Sequence, residues 1–215
     1  GRIHAPISGG PAGTQHTLTA KIEGPFFHWF KPSKDEPERI GFYTEGLSGS
    51  PVGWAHPGDR YATELHITLP AAWSAFSNGL LESDLPVGKS RHTVVWRMDE
   101  PHPNYLNSIV VGPFVAHHDK WRNHPLEMSC PPSLVDKLDS TFSHTKDILD
   151  YFSERTGVEY PWSKYGQNLT FDHNYAEENV TATMYPVYWS ERPFLTDARD
   201  GRRSEWVIAH ETAHQ

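Results

Sequence analysis

The hydrophobic repeat of this chain changes at Pro131-Pro132, and that change limits the folds open to it. Upstream, apolar and polar residues alternate with the two-residue period of a half-buried strand. Tyr61, Thr63, Leu65, Ile67 and Leu69 share one face, Ala62, Glu64, His66 and Thr68 the other, and Pro70 closes the segment. Arg91 to Met98 and Asn107 to Val115 are further strands, His16 to Ile22 alternates weakly, and Ser77-Asn78-Gly79 is a turn between short strands. Residues 1–14 and Lys31 to Arg39 read as loops. Downstream, Ser133 can cap a helix in which Leu134, Val135, Leu138, Phe142, Ile148, Leu149 and Phe152 follow helical spacing until Gly157 stops it. Leu169 to Asp172 reads as a short strand and Met184 to Trp189 as extended chain. The expected class is therefore α+β. An antiparallel β domain occupies residues 1–129, and residues 130–215 open a second domain.

Composition narrows the function. The net charge of −8, with no Lys/Arg cluster, argues against a nucleic-acid partner. No apolar run approaches the roughly 20 residues of a membrane span. Cys130 is the single cysteine, so no internal disulfide can form, and it reads as a loop thiol. His117, His118, Asp119 and His124 form a His-rich stretch that could hold a metal, but without a periodic scaffold it reads as a solvated linker.

The chemistry concentrates in the last six residues, His210-Glu211-Thr212-Ala213-His214-Gln215. Positions four apart lie on one helix face, so His210 and His214 can present two imidazole nitrogens to one zinc ion. Glu211 projects beside them, where it can take a proton from water activated at the metal. Val207, Ile208 and Ala209 carry the helix into the motif, and Ser204 is a candidate N-cap. An amphipathic helix with two incidental histidines is the alternative. A catalytic zinc site needs a third protein ligand, for which nothing remains downstream of His214.

Several stretches carry a resemblance. His56-Pro57-Gly58-Asp59-Arg60-Tyr61-Ala62-Thr63, then Trp96 to Pro101, Tyr105-Leu106 and Val110-Val111-Gly112, fall in the first domain. Gly157 to Pro161 lead into the second, where Ala176-Glu177-Glu178-Asn179 places Glu178 32 positions before His210. With Ile208 to Gln215, these segments resemble the aminopeptidase N family of zinc metallopeptidases, the gluzincins. The resemblance implies an N-terminal antiparallel β domain over residues 1–129, incomplete at its start, followed by the start of a thermolysin-like catalytic domain, truncated after the zinc helix. It implies Zn2+ held by His210 and His214, with Glu211 as general base. Glu178 would pair with the free α-ammonium of a peptide, the main chain of Ala176 and Glu177 would line the substrate, and Asn179 would hold the loop. Glu45 falls where relatives carry a Gln that also holds the amine; it is either that or a surface acid.

The sequence departs from the family pattern at Tyr175 and Glu177, where the family has Gly and Met. A second acid beside Glu178 raises the cost of keeping both ionised. The resemblance places the third ligand, a Glu, and an oxyanion-stabilising Tyr beyond this chain, so a C-terminal portion of the same enzyme is the expected partner. The leading expectation is a zinc aminopeptidase acting on peptides with a free N-terminus. The alternatives are a zinc endopeptidase or bifunctional hydrolase on the same scaffold, or a non-catalytic binding module that keeps the fold.

Overall fold

The computed structural model describes residues 3–7, 16–20, 27–31, 34–35, 37–44, 60–172, 175–187 and 201–215. Strands β1 (Ile3–Ile7), β2 (His16–Ala20), β5 (Arg60–Pro70), β7 (Leu80–Val87) and β8 (Arg91–Pro103) form one sheet, ordered β2-β1-β5-β8-β7. Strands β3 (Phe27–Trp29), β4 (Phe42–Thr44), β6 (Ser74–Ser77) and β9 (Ile109–Gly112) form a second, ordered β3-β4-β9-β6. All the pairings within these two sheets are antiparallel. β5 buries Tyr61, Thr63, Leu65 and Leu69, as its alternation requires, and sets Leu65 opposite Trp96 on β8. Residues Ile3–Ile7, read as loop, form β1 instead. Their own alternation is short and flanked by Gly and Pro, which hides it.

The third sheet is mixed. β10 (Val115–Trp121) and β11 (His124–Cys130) make an antiparallel hairpin, and β12 (Tyr165–Thr170) and β13 (Thr183–Pro186) add in parallel, giving the order β10-β11-β12-β13. The His-rich stretch is thus strand rather than linker. As the edge of the sheet, β10 faces water and carries charge, which blunts strand-to-strand association. Strands from both sides of the boundary expected at residue 129 share this sheet. Cys130 ends β11 and is fully buried rather than in a loop. Burial pushes its thiol up to about 12, so it stays protonated and unreactive.

Parallel neighbours need a crossover, and between β11 and β12 it is helical. A 3-10 turn, Pro132–Leu134, leads into α1 (Val135–Thr141), and α2 (Thr145–Thr156) follows. The single helix expected here is broken: Phe142 turns inward, 4% exposed, and the chain restarts at His144. Ser133 sits inside the 3-10 turn and caps neither helix. Gly157 ends α2 with φ 70°, as its freedom in left-handed space allows. Helix α3 (Gly201–Ala213) packs against α2; it begins before Ser204, which therefore lies within the helix rather than at its cap.

One core joins all three sheets. Phe30, Leu65, Trp96, Val110, Leu138, Leu169, Met184 and Ile208 belong to a single buried cluster, so the antiparallel sheets and the helices around β12 pack as one body. Lys164 reinforces this junction. Its ammonium lies 3.9 Å from the centroid of the Trp96 ring and 2.5 Å from Glu127 Oε1 on β11. Among the described residues no helix is long and apolar enough to cross a membrane.

Candidate metal and substrate site

Helix α3 has two unlike faces. Ile208, Glu211 and Thr212 point inward and are buried, while Trp206, His210 and His214 face out. The spacing of three and four residues dictates this division. Beneath the helix, Tyr165 of β12 places its hydroxyl 2.6 Å from Thr212 Oγ1, and Thr212 Oγ1 donates to the Ile208 carbonyl at 2.7 Å. The inner face is therefore pinned to β12, an inner strand of the mixed sheet.

On the outer face, His210 Nε2 and His214 Nε2 stand 3.1 Å apart with the two rings edge to face. Trp206 stacks on His210 at 5.4 Å and restricts that ring from its other side. Nitrogens bound to one tetrahedral zinc at about 2.0–2.1 Å would lie about 3.3 Å from each other, so the two imidazoles fit a shared ion. The ligand atoms of His214, Glu211 and Glu178 all lie within 4.8 Å of one another. Glu211 is 5% exposed. Its carboxyl is pushed up to about 7, first by burial and then by the negative charges of Glu178 and Glu177. A carboxylate whose affinity for protons lies near neutrality can both accept and return one.

Glu178 reaches this cluster from the loop between β12 and β13. That loop joins the sheet through paired main-chain bonds of Glu177 with Met184, each 3.0 Å. The Glu177 carboxylate is turned away from solvent and accepts from Asn179 Nδ2 at 2.9 Å, while the Asn179 carbonyl accepts from Ala182 N at 3.0 Å. Asn179 thus bonds within the loop through both its side chain and its carbonyl. Ala176 is half-buried and packs on the core. Glu45 and His56 to Asp59 lie outside the described residues.

Three supports of this loop were not read from the sequence. Asn78, expected only as a turn residue, is 1% exposed and donates from Nδ2 to the Leu106 and Val180 carbonyls, while its Oδ1 accepts from Ser108 N at 2.7 Å. Gly79 N donates to Thr181 Oγ1 at 2.6 Å, and Gly79 has φ 75° with no room for a Cβ, which would lie 1.9 Å from the Arg97 carbonyl. Gln215, noted only as the residue after the motif, bonds both to the loop and to the segment before β12. These contacts join positions too far apart for local pattern to show. The nearest signal was the Asn-Gly pair itself.

No family model matches the chain. Two curated proteins do. Aminopeptidase N of Streptomyces lividans is 31% identical over 173 residues, covering 76% of this chain and 19% of that protein. Aminopeptidase N of Acetobacter pasteurianus is 27% identical over 168 residues, covering 76% of this chain and 47% of that protein. The chain spans less than half the length of either relative.

Proposed function

We propose, on the premise that this chain is a divergent, partial relative of the aminopeptidase N family, that it contributes the zinc helix and the amine-binding loop of a zinc-dependent aminopeptidase. The observation that carries this reading is the 3.1 Å separation of His210 Nε2 and His214 Nε2, with Glu211 and Glu178 gathered at His214. In this reading residues 1–129 are the N-terminal β domain, and residues 130–215 are the first part of a thermolysin-like catalytic domain. The third ligand comes from a C-terminal portion of the same enzyme.

Zinc, when bound, supplies a Lewis acid that polarises the scissile carbonyl and acidifies water. Each remaining role falls to a residue of this chain. His210 and His214 hold the ion. Glu211 takes a proton from the attacking water and returns it to the departing amine, a transfer suited to a carboxyl near neutrality. Glu178 pairs with the α-ammonium of the peptide, so that only a chain end fits and one residue is removed at a time. Ala176 and Glu177 form the wall along the substrate, Asn179 fixes their loop, and Glu45 adds negative charge around the amine.

Glu177 favours a second reading, a zinc endopeptidase or bifunctional hydrolase, because an acid replaces the family's Met beside Glu178. Hydrolysis of one peptide with a free and with an acetylated N-terminus, by the full-length natural protein, separates the two. Cleavage of the free form alone supports the aminopeptidase, and equal cleavage of both overturns it. Glu211→Gln should lower the rate by about 10²–10⁴-fold at unchanged zinc content. A folded natural protein with no zinc would instead be a binding module.

A further inference from the structure

Gln215 occupies a position that no part of the proposed chemistry uses, yet it touches the loop that carries Glu178. Its Nε2 donates to the Glu178 carbonyl at 2.8 Å, and its Oε1 accepts from Thr181 N at 3.1 Å. Among the described residues these are the hydrogen bonds made by those two main-chain groups. One planar amide thus satisfies a carbonyl and an N–H three residues apart, which requires a donor and an acceptor on the same side chain. The loop needs such a grip. Thr181 adopts φ 61°, a left-handed conformation that disfavours a β-branched residue. Behind it, Gly166 lies so close that a Cβ there would meet the Thr181 carbonyl at 2.5 Å.

The other end of Gln215 is equally fixed. Its carbonyl accepts from Trp162 Nε1 at 2.7 Å, and its N–H donates to the Thr212 carbonyl at 3.1 Å. The residue directly after His214 is therefore locked to the helix on one side and to the main chain of Glu178 on the other. We propose that Gln215 is a positioning residue that sets the distance between the His210–His214 pair and the Glu178 carboxylate, and through it the register of the substrate's amine. This role rests on the aminopeptidase reading above. It predicts a coupling between Gln215 and Glu178 that a merely structural residue at a helix end would lack.

The test uses the full-length natural protein loaded with zinc and a peptide with a free N-terminus. Gln215→Leu keeps the bulk and removes both hydrogen bonds to the loop, together with the longer one that Tyr160 Oη donates to Oε1 at 3.4 Å. Loss of a buried hydrogen-bond partner corresponds to about a tenfold change, so KM should rise by that factor, kcat should fall less, and zinc should remain stoichiometric. Gln215→Glu retains an acceptor for Thr181 N but faces the Glu178 carbonyl with a second oxygen, so its KM should rise as well. Gln215→Asn, with the same groups on a shorter stem, should recover part of the loss. In a Glu178→Gln background, Gln215→Leu should add little further effect. Unchanged KM in both Leu and Glu variants, effects that multiply with Glu178→Gln, or losses that follow zinc content overturn the proposal. If Glu178→Gln itself leaves KM unaltered, the aminopeptidase reading falls and this one with it. If Glu178→Gln raises KM while the Gln215 variants do not, only the positioning role is lost.

Discussion

Lys164 Nζ lies 2.5 Å from Glu127 Oε1 where both side chains are almost wholly enclosed, with the Trp96 ring as a further wall 3.9 Å from the ammonium. Burial lowers the affinity of Lys164 for its proton, and Glu127 opposes that shift. The pair ties β11 and the approach to β12 onto β8 of the first sheet. Lys164→Met leaves an uncompensated carboxylate in the core and should cost about 3–5 kcal/mol. Replacing Glu127 by Leu in the same chain should recover most of that loss. Thermal midpoints of the two variants check both statements; an unshifted midpoint for Lys164→Met would show that the pair contributes nothing.

Tyr165→Phe removes the hydroxyl beneath α3 and leaves Thr212 Oγ1 with its bond to the Ile208 carbonyl. The expected loss is about 1 kcal/mol of stability, and Thr212→Val should lose a similar amount. Because both changes delete one contact, the double variant should fall short of their sum. Denaturant titration of the three variants measures this, and full additivity would mean that the contact carries no energy.

What could be read from the sequence was local and periodic. The alternation of β5, the left-handed stop at Gly157 and the two faces of α3 each arise within one element, so neighbouring residues are enough to show them. The break at Phe142 was hidden because α1 and α2 keep the same helical repeat while the chain turns between them. The first part of β12 was hidden for a different reason. Leu169 and Thr170 fall in the strand read at Leu169 to Asp172, but Gln167 and Asn168 look like loop residues, although the whole strand is buried. Burial is possible because partners such as Thr145 Oγ1 on Gln167 and Ser129 Oγ on Asn168 arrive from other elements. His210, Glu211 and His214 share one helix turn, so their closeness in space was legible. The grip of Asn78, Gly79 and Gln215 on the Glu178 loop depends on tertiary contact, and no local pattern encodes it.

Stability should depend on pH through His92. Its Nδ1–H donates to Asp84 Oδ1 at 2.5 Å, and that hydrogen bond is the largest cause raising its affinity for protons above the ordinary value. The folded state therefore holds a proton that the unfolded chain releases near pH 6.5. The stabilisation is fully present below that pH and is lost as pH rises through the folded value. With Asp84 half-exposed, the contribution should be below about 1 kcal/mol. Asp84→Asn should flatten the decline of thermal midpoint as pH rises above about 6.5. A decline of unchanged slope would assign it to another group.

Glu178→Gln tests the charge that the proposed amine site requires. The substitution keeps the size of the side chain and its main-chain bond to Gln215, and removes only the negative charge facing the cluster of Glu211 and His214. Losing one partner of a desolvated charge pair should raise KM for a peptide with a free N-terminus by at least about tenfold. The same loss removes a negative charge beside Glu211, so the carboxyl of Glu211 should bind protons less tightly than its present position near 7. In metal-free protein, infrared titration of the carboxyl groups would follow that downward movement. Chelation should abolish turnover in the parent and the variant alike, and added zinc should restore each to its own level. An unchanged KM together with an unmoved Glu211 would mean that Glu178 faces solvent rather than the substrate.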